Sequence, residues 1–117
     1  MGNATQQHWA GVDWGDREHT LCVVTESGEA KVRLTVPHSA EGVQKLQQAL
    51  RGVCGLAGVA IEIRQHLLVE ELRKAAFTVY AVNPKLSHQW RECLSVNAPK
   101  DDNRDAWALA YGLRVYQ

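Results

Sequence analysis

The sequence predicts an α/β domain built on a mixed five-stranded sheet with helices on both faces. Three observations predict it. The N-terminal third holds three β-type segments separated by short turn signals, and helical and strand-like segments alternate after them. Apolar residues make up 45% of the 117, enough for one core and one domain.

Residues 1–7 are polar and expected to be disordered, which leaves 8–117 as the domain. His8 to Trp14 reads as the first strand, and Gly15 to Glu18 as a polar turn. His19 to Thr25 is β-branched and reads as the second, with a turn at Ser27-Gly28. From Lys31 to Val36, Val32, Leu34 and Val36 alternate with Lys31, Arg33 and Thr35, the pattern of a half-exposed strand. Short turns between these three make an antiparallel meander. Pro37 ends it and Ser39 is a candidate helix N-cap, with Val43, Leu46 and Leu50 at helical spacing and Gly52 and Gly55 closing the helix. Ala57 to Ile63 is an apolar run that reads as a buried strand, and Leu67 to Ala76 as a helix with one apolar face. Phe77 to Val82 reads as the fifth strand, stopped by Asn83-Pro84. Leu86, Trp90, Cys93 and Leu94 suggest a helix broken at Ala98-Pro99. From Asp102 a last helix carries Ala106, Leu109, Ala110 and Leu113 on its apolar stripe, and Trp107, off that stripe, is expected to cover a partner domain. Strands four and five, joined through a helix, should be parallel. The order βββ-α-β-α-β-α-α is the ribonuclease H-like arrangement. The chain stops inside an apparent helix, as a fragment of a longer protein would.

Composition excludes several classes. Lys plus Arg and Asp plus Glu number 13 each, so bulk charge does not favour nucleic acid, and any such binding needs a local patch. The three cysteines, Cys22, Cys54 and Cys93, lie far apart, which argues against a disulfide framework and for a cytoplasmic setting. No signal peptide opens the chain, and no apolar run approaches the roughly 20 residues that span a bilayer. The five histidines show no zinc-type spacing with the cysteines.

The chemistry resides in carboxylates. Asp13 ends the first strand amid apolar neighbours, where an unpaired charge is costly. Glu62 interrupts Val59-Ala60-Ile61-Glu62-Ile63, and alternation turns it to the face opposite Val59, Ile61 and Ile63. In a ribonuclease H-like sheet the first and fourth strands are neighbours, so Asp13 and Glu62 would face each other. Asp102 and Asp105 are spaced to share one side of a helix, about 5–6 Å apart at Cβ. Four converging carboxylates repel unless a cation neutralises them, and hard oxygen donors suit Mg²⁺ or Mn²⁺. Taken singly, each has a plainer reading: Asp13 as a turn cap, Glu62 as a solvent-facing residue, Asp102 as a helix N-cap with Asp105 at N3.

These residues together resemble the N-terminal domain of DEDD-type transposases of the insertion-sequence one-ten group, which includes the pilin-gene invertase. The matching pieces are Gly11-Val12-Asp13 with His19, Val59-Ala60-Ile61-Glu62, Val79-Tyr80-Ala81-Val82-Asn83-Pro84, and Lys100-Asp101-Asp102-Asn103-Arg104-Asp105-Ala106. The last is similar to the family's K-[TS]-D-x-x-D-A. The resemblance runs from about His8 to Leu113. It implies a RuvC-like fold with Asp13, Glu62, Asp102 and Asp105 as Mg²⁺ ligands and catalytic acids. It also implies action on transposon-end and target DNA, a guide RNA, a homo-oligomeric full-length form, and a C-terminal domain with a nucleophilic serine, absent here. Asp101 departs from the usual small hydroxyl residue, and Ile63-Arg64-Gln65-His66 from the usual glycine-containing turn.

Lys100 and Arg104 flank the acids as candidate phosphate contacts or counter-charges. Lys85, His88 and Arg91 read as a solvated helix face or as an extension of a basic patch, and Arg64 and His66, following Glu62, are candidates to border the site. Trp9, Trp14, Trp90 and Trp107 are candidates for stacking on bases, with packing the plainer reading of Trp14 and Trp90, and Cys22 reads as core. The expected function is Mg²⁺-dependent strand cleavage and exchange on DNA in transposition. The alternatives are a Holliday-junction-type nuclease and a non-catalytic RNA-binding or dimerisation module of the same fold.

Overall fold

The computed structural model describes residues 6–94 and 104–116 of the chain. The elements are β1 (His8–Trp14), β2 (Glu18–Val24), β3 (Ala30–Pro37), α1 (Ala40–Arg51), β4 (Leu56–Glu62), α2 (His66–Lys74), β5 (Val79–Val82), α3 (Pro84–Leu94) and α4 (Arg104–Tyr116). One five-stranded sheet has the order β3-β2-β1-β4-β5, with β1–β2 and β2–β3 antiparallel and β1–β4 and β4–β5 parallel. This is the expected ribonuclease H-like arrangement, with β1 at its centre.

Period-2 alternation divides the core between the two faces of the sheet. Ala10, Val12, Leu21, Val23, Val59 and Ile61 pack with Leu46 and Leu50 of α1 and Leu68, Val69 and Leu72 of α2. Trp9, Cys22, Val24 and Ala60 pack on the other face with Trp90 and Leu94 of α3 and the body of α4. Ser39 caps α1 as expected, its side chain accepting from the Gly42 amide at 3.0 Å.

Two local expectations are corrected, for the start of β5 and for Trp107, and the start of α3 is fixed. Strand β5 begins at Val79, because the preceding residues are used to end α2: the Phe77 amide donates to Leu72 O and the Ala76 amide to Arg73 O, with Ala76 at φ 71°. That is the Schellman pattern, here with alanine in the left-handed position that glycine usually fills. Helix α3 begins at Pro84, two residues before its apolar stripe, since Asn83 Oδ1 accepts from the Lys85 amide at 2.8 Å and proline suits the first helical position. Trp107 belongs to this domain's own core. It is 3% exposed, donates from Nε1 to Gly28 O at 3.2 Å, and stacks on Tyr111. Helix α4 lies between the sheet and α3, so Ala106, Trp107, Ala108, Leu109 and Ala110 are all buried and no single stripe marks its inner face. Among the described residues no helix is long and apolar enough to cross a membrane.

Candidate metal centre

Parallel pairing of β1 with β4 sets Gly11 beside Ala60 and Val12 beside Ile61. The next residues on the two strands are Asp13 and Glu62. Because Val12 and Ile61 face α1 and α2, Asp13 and Glu62 face α3 and α4. Gly11 is what lets α4 come close. A Cβ there would stand 2.3 Å from Ala106 O and 2.5 Å from Ala110 N, both helix backbone. The first turn of α4 therefore carries Asp105 over the strand ends. Val12, Asp13, Trp14, Glu62, Gln65, Arg91 and Leu109 line the resulting cleft.

The carboxylates are unequal. The Ser87 hydroxyl lies 2.5 Å from Glu62 Oε2, Arg64 Nη2 lies 2.7 Å from Oε1, and Arg91 Nη1 lies 3.6 Å from Oε2. Burial by itself raises the Glu62 pKa, but the Ser87 hydrogen bond and the two guanidinium groups outweigh it and hold the carboxyl below its ordinary value. Asp13 goes the other way. Desolvation is the largest cause, followed by the charges of Asp105 and Glu62, with Arg91 only partly offsetting them. Arg91 Nε also lies 3.9 Å from Asp105 Oδ1, so one guanidinium reaches acids on β4 and on α4. A single cation thus already sits among Asp13, Glu62 and Asp105.

Of the sequence-derived site residues, Asp13, Glu62 and Asp105 are brought to one end of the sheet. Asp102 and Lys100 lie outside the described residues. Among the described residues, no three His, Cys, Asp or Glu side chains form a ready metal-holding group. Of the basic candidates, Arg64 and Arg91 turn onto Glu62, while Lys85 and Arg104 are exposed. His88 pairs with Glu92 at 3.7 Å.

Sequence reasoning missed two features. Ser87 is buried beneath Glu62, and its signal was its spacing: residues 87, 90 and 94 fall on one helical stripe with Trp90 and Leu94. The second is a histidine pair behind Trp14. The Gly15 amide donates to His19 Nδ1 at 3.2 Å, which leaves the ring proton on Nε2, 3.0 Å from His38 Nδ1. Trp14 stacks on His19 with centroids 3.1 Å apart. Desolvation, and secondarily the charge of His38, lowers the His19 pKa to about 4.

A family model described as "Transposase", that of the IS110-type DEDD proteins, matches residues 10–117. The chain is 32% identical to "Putative transposase y4uE" of Sinorhizobium fredii over 97% of its own length and 33% of the relative's. It is 31% identical to "Mini-circle putative transposase for IS117" of Streptomyces coelicolor over 92% of its own length and 27% of the relative's. The chain thus spans about a third or less of the length of these relatives. With the family match running over nearly all of the ribonuclease H-like domain, the chain belongs to the IS110-type family of DEDD transposases.

Proposed function

We propose that this domain is the acidic half of a transposase active site, with Asp13, Glu62, Asp102 and Asp105 holding Mg²⁺ or Mn²⁺ for phosphoryl transfer on DNA. The observation that carries the reading is the position of Arg91, 3.6 Å from Glu62 and 3.9 Å from Asp105. Positive charge already lies beside these acids, and the Asp13 pKa stays raised, by desolvation first and then by Asp105 and Glu62, with that guanidinium present. A donor set of carboxylate oxygens fits a hard divalent cation.

When bound, the ion supplies Lewis-acid stabilisation of charge on the reacting phosphate. The chain's own residues do the rest. The Ser87 hydroxyl donates to Glu62 Oε2 and helps to hold its pKa below the ordinary value. Gly11 sets the approach of α4, and with it the place of Asp105. Arg64 and Arg91, once Glu62 is otherwise neutralised, can turn to phosphate oxygens. Strand exchange, a nucleophilic serine, a guide RNA and homo-oligomer assembly belong in this proposal to the full-length protein.

Calorimetric titration with Mn²⁺ tests the reading. Binding in the low-millimolar range or tighter is expected, and Asp13→Ala should abolish it. Equal Mn²⁺ binding in Asp13→Ala would overturn the metal centre. RNA affinity that survives that substitution without metal dependence would instead favour a non-catalytic module.

A further inference from the structure

The acidic cleft shares two walls, Trp14 and Gln65, with a second hollow of about 130 Å³, otherwise lined by His38, Arg64, Leu67 and Leu68. We propose that this hollow is a subsite for one unpaired nucleobase of the DNA strand whose phosphate lies at the acids. The proposal rests on the transposase reading above and adds what the site grips beside the phosphate.

The lining has the chemistry of a base pocket. The Trp14 indole is only half-buried, and it is held in place from behind. His19 stacks on it at an interplanar angle of 7°, and His38 meets it edge-on at 84°. His19 is itself fixed by the Gly15 amide and by His38. An aromatic plane fixed before the ligand arrives loses little freedom when a base stacks on it. Leu67 is 75% exposed, the most exposed large apolar side chain among the described residues, whereas its neighbour Leu68 is core. Solvent exposure of that leucine beside an uncovered aromatic is explained by a flat apolar ligand between them. Gln65 stands at the N-cap of α2, yet its side chain makes no capping hydrogen bond, which leaves its amide for a base edge.

Size and charge narrow the occupant. A hollow of about 130 Å³ is well below the roughly 300 Å³ at which drug-sized pockets begin, and suits one planar ring system. Arg64 borders the hollow while its guanidinium lies against Glu62, so the positive charge stands between the base site and the acids. A nucleotide has that order of parts: a flat apolar ring, then an anion.

The test uses short labelled oligothymidylate in Ca²⁺, followed by fluorescence anisotropy with the 117-residue chain. Its comparison is an abasic deoxyribose oligomer of equal length and charge. The unaltered chain should bind the base-bearing strand about tenfold more tightly, the lower range of one base–aromatic stack. That ratio should fall close to one in Trp14→Ala and in Leu67→Ser, the second being a surface change that leaves the core intact. A ratio near one in the unaltered chain, or one that persists in both variants, overturns the subsite. Tighter binding of oligouridylate moves it off the DNA strand and overturns that assignment. Mn²⁺ titration of the same protein without DNA tests the metal centre separately, so a flat ratio with intact Mn²⁺ binding removes the base subsite alone.

Discussion

The Ser87 hydroxyl stands 2.5 Å from Glu62 Oε2 and 3.0 Å from Pro84 O. It has one proton, and the shorter contact to a charged acceptor is the stronger. Ser87 is thus a positioning residue for the β4 carboxylate, placed by the first turn of α3. Ser87→Ala should cost about 1–2 kcal/mol of stability, less than a full charged hydrogen bond because Arg64 and Arg91 remain. Mn²⁺ binding should weaken about tenfold, as when a group orienting a metal ligand is lost. The pH profile separates this role from a merely structural one. Glu62 is held below its ordinary pKa, so losing Ser87 raises it, and protons then compete with metal at higher pH. The deficit should grow as pH falls into the carboxylate range. A deficit that is the same at every pH would reduce Ser87 to packing.

Asp13 makes the opposite prediction. Its pKa is raised, chiefly by desolvation and then by Asp105 and Glu62. For an acid raised on folding, ionisation opposes the fold, and stability falls as pH rises through the interval between its unfolded and folded values. Asp13→Asn removes that charge and keeps the shape. In EDTA the variant should melt about 1–3 °C higher, equivalent to ~0.5 kcal/mol for a group that solvent screens. In Mn²⁺ the order should reverse, since only the unaltered chain gains stability from bound metal. Thermal melts with and without metal check both halves, and a less stable Asn variant in EDTA would show that Asp13 serves the fold.

Gly11→Ala tests how the α4 acid is placed. The new Cβ meets Ala106 O and Ala110 N, which are backbone atoms and cannot rotate away. Helix α4 must shift outward, at a cost of about 2–3 kcal/mol typical of overpacking. Mn²⁺ affinity should fall as well, although Gly11 contacts no metal. Urea midpoints and the Mn²⁺ titration read the two effects. Unchanged metal affinity in a destabilised variant would mean that the place of Asp105 does not matter to binding.

Sheet order was legible from the order of the elements rather than from alternation, since β1 is buried continuously from His8 to Val12 and β4 from Gly58 to Ile61. Val12 and Ile61 had to face one core, which turned Asp13 and Glu62 to the other. Trp107 was misread because the buried face of α4 is wider than the stripe of Ala106, Leu109, Ala110 and Leu113 and takes in Trp107 and Ala108 as well. Arg91 was legible as a cation, but not as the group reaching both Glu62 and Asp105, since that depends on how α3 crosses α4. The His19–His38 pair was hidden for a similar reason. It joins β2 to the residue just past β3, and only the pairing of His19 with Val36 brings the rings together.

That histidine pair gives the acid-stability prediction. His19 is fully buried, and its pKa is lowered from 6.5 to about 4. A histidine held neutral by the fold contributes stability that is complete above its unfolded value and is lost as pH falls from about 6.5 towards 4. The whole effect is on the order of 3 kcal/mol, with about 2 kcal/mol already gone at pH 5. Asp13 acts with the opposite sign over the acid range, and Glu62 adds its loss only lower, because its pKa is depressed. The upper part of the window therefore belongs chiefly to His19. Urea midpoints from pH 7 to pH 5 should fall steeply in the unaltered chain and much less in His19→Asn, which removes the titrating ring while keeping a polar side chain. Matching slopes in the two proteins would show that the proton enters elsewhere and that the support behind Trp14 does not titrate.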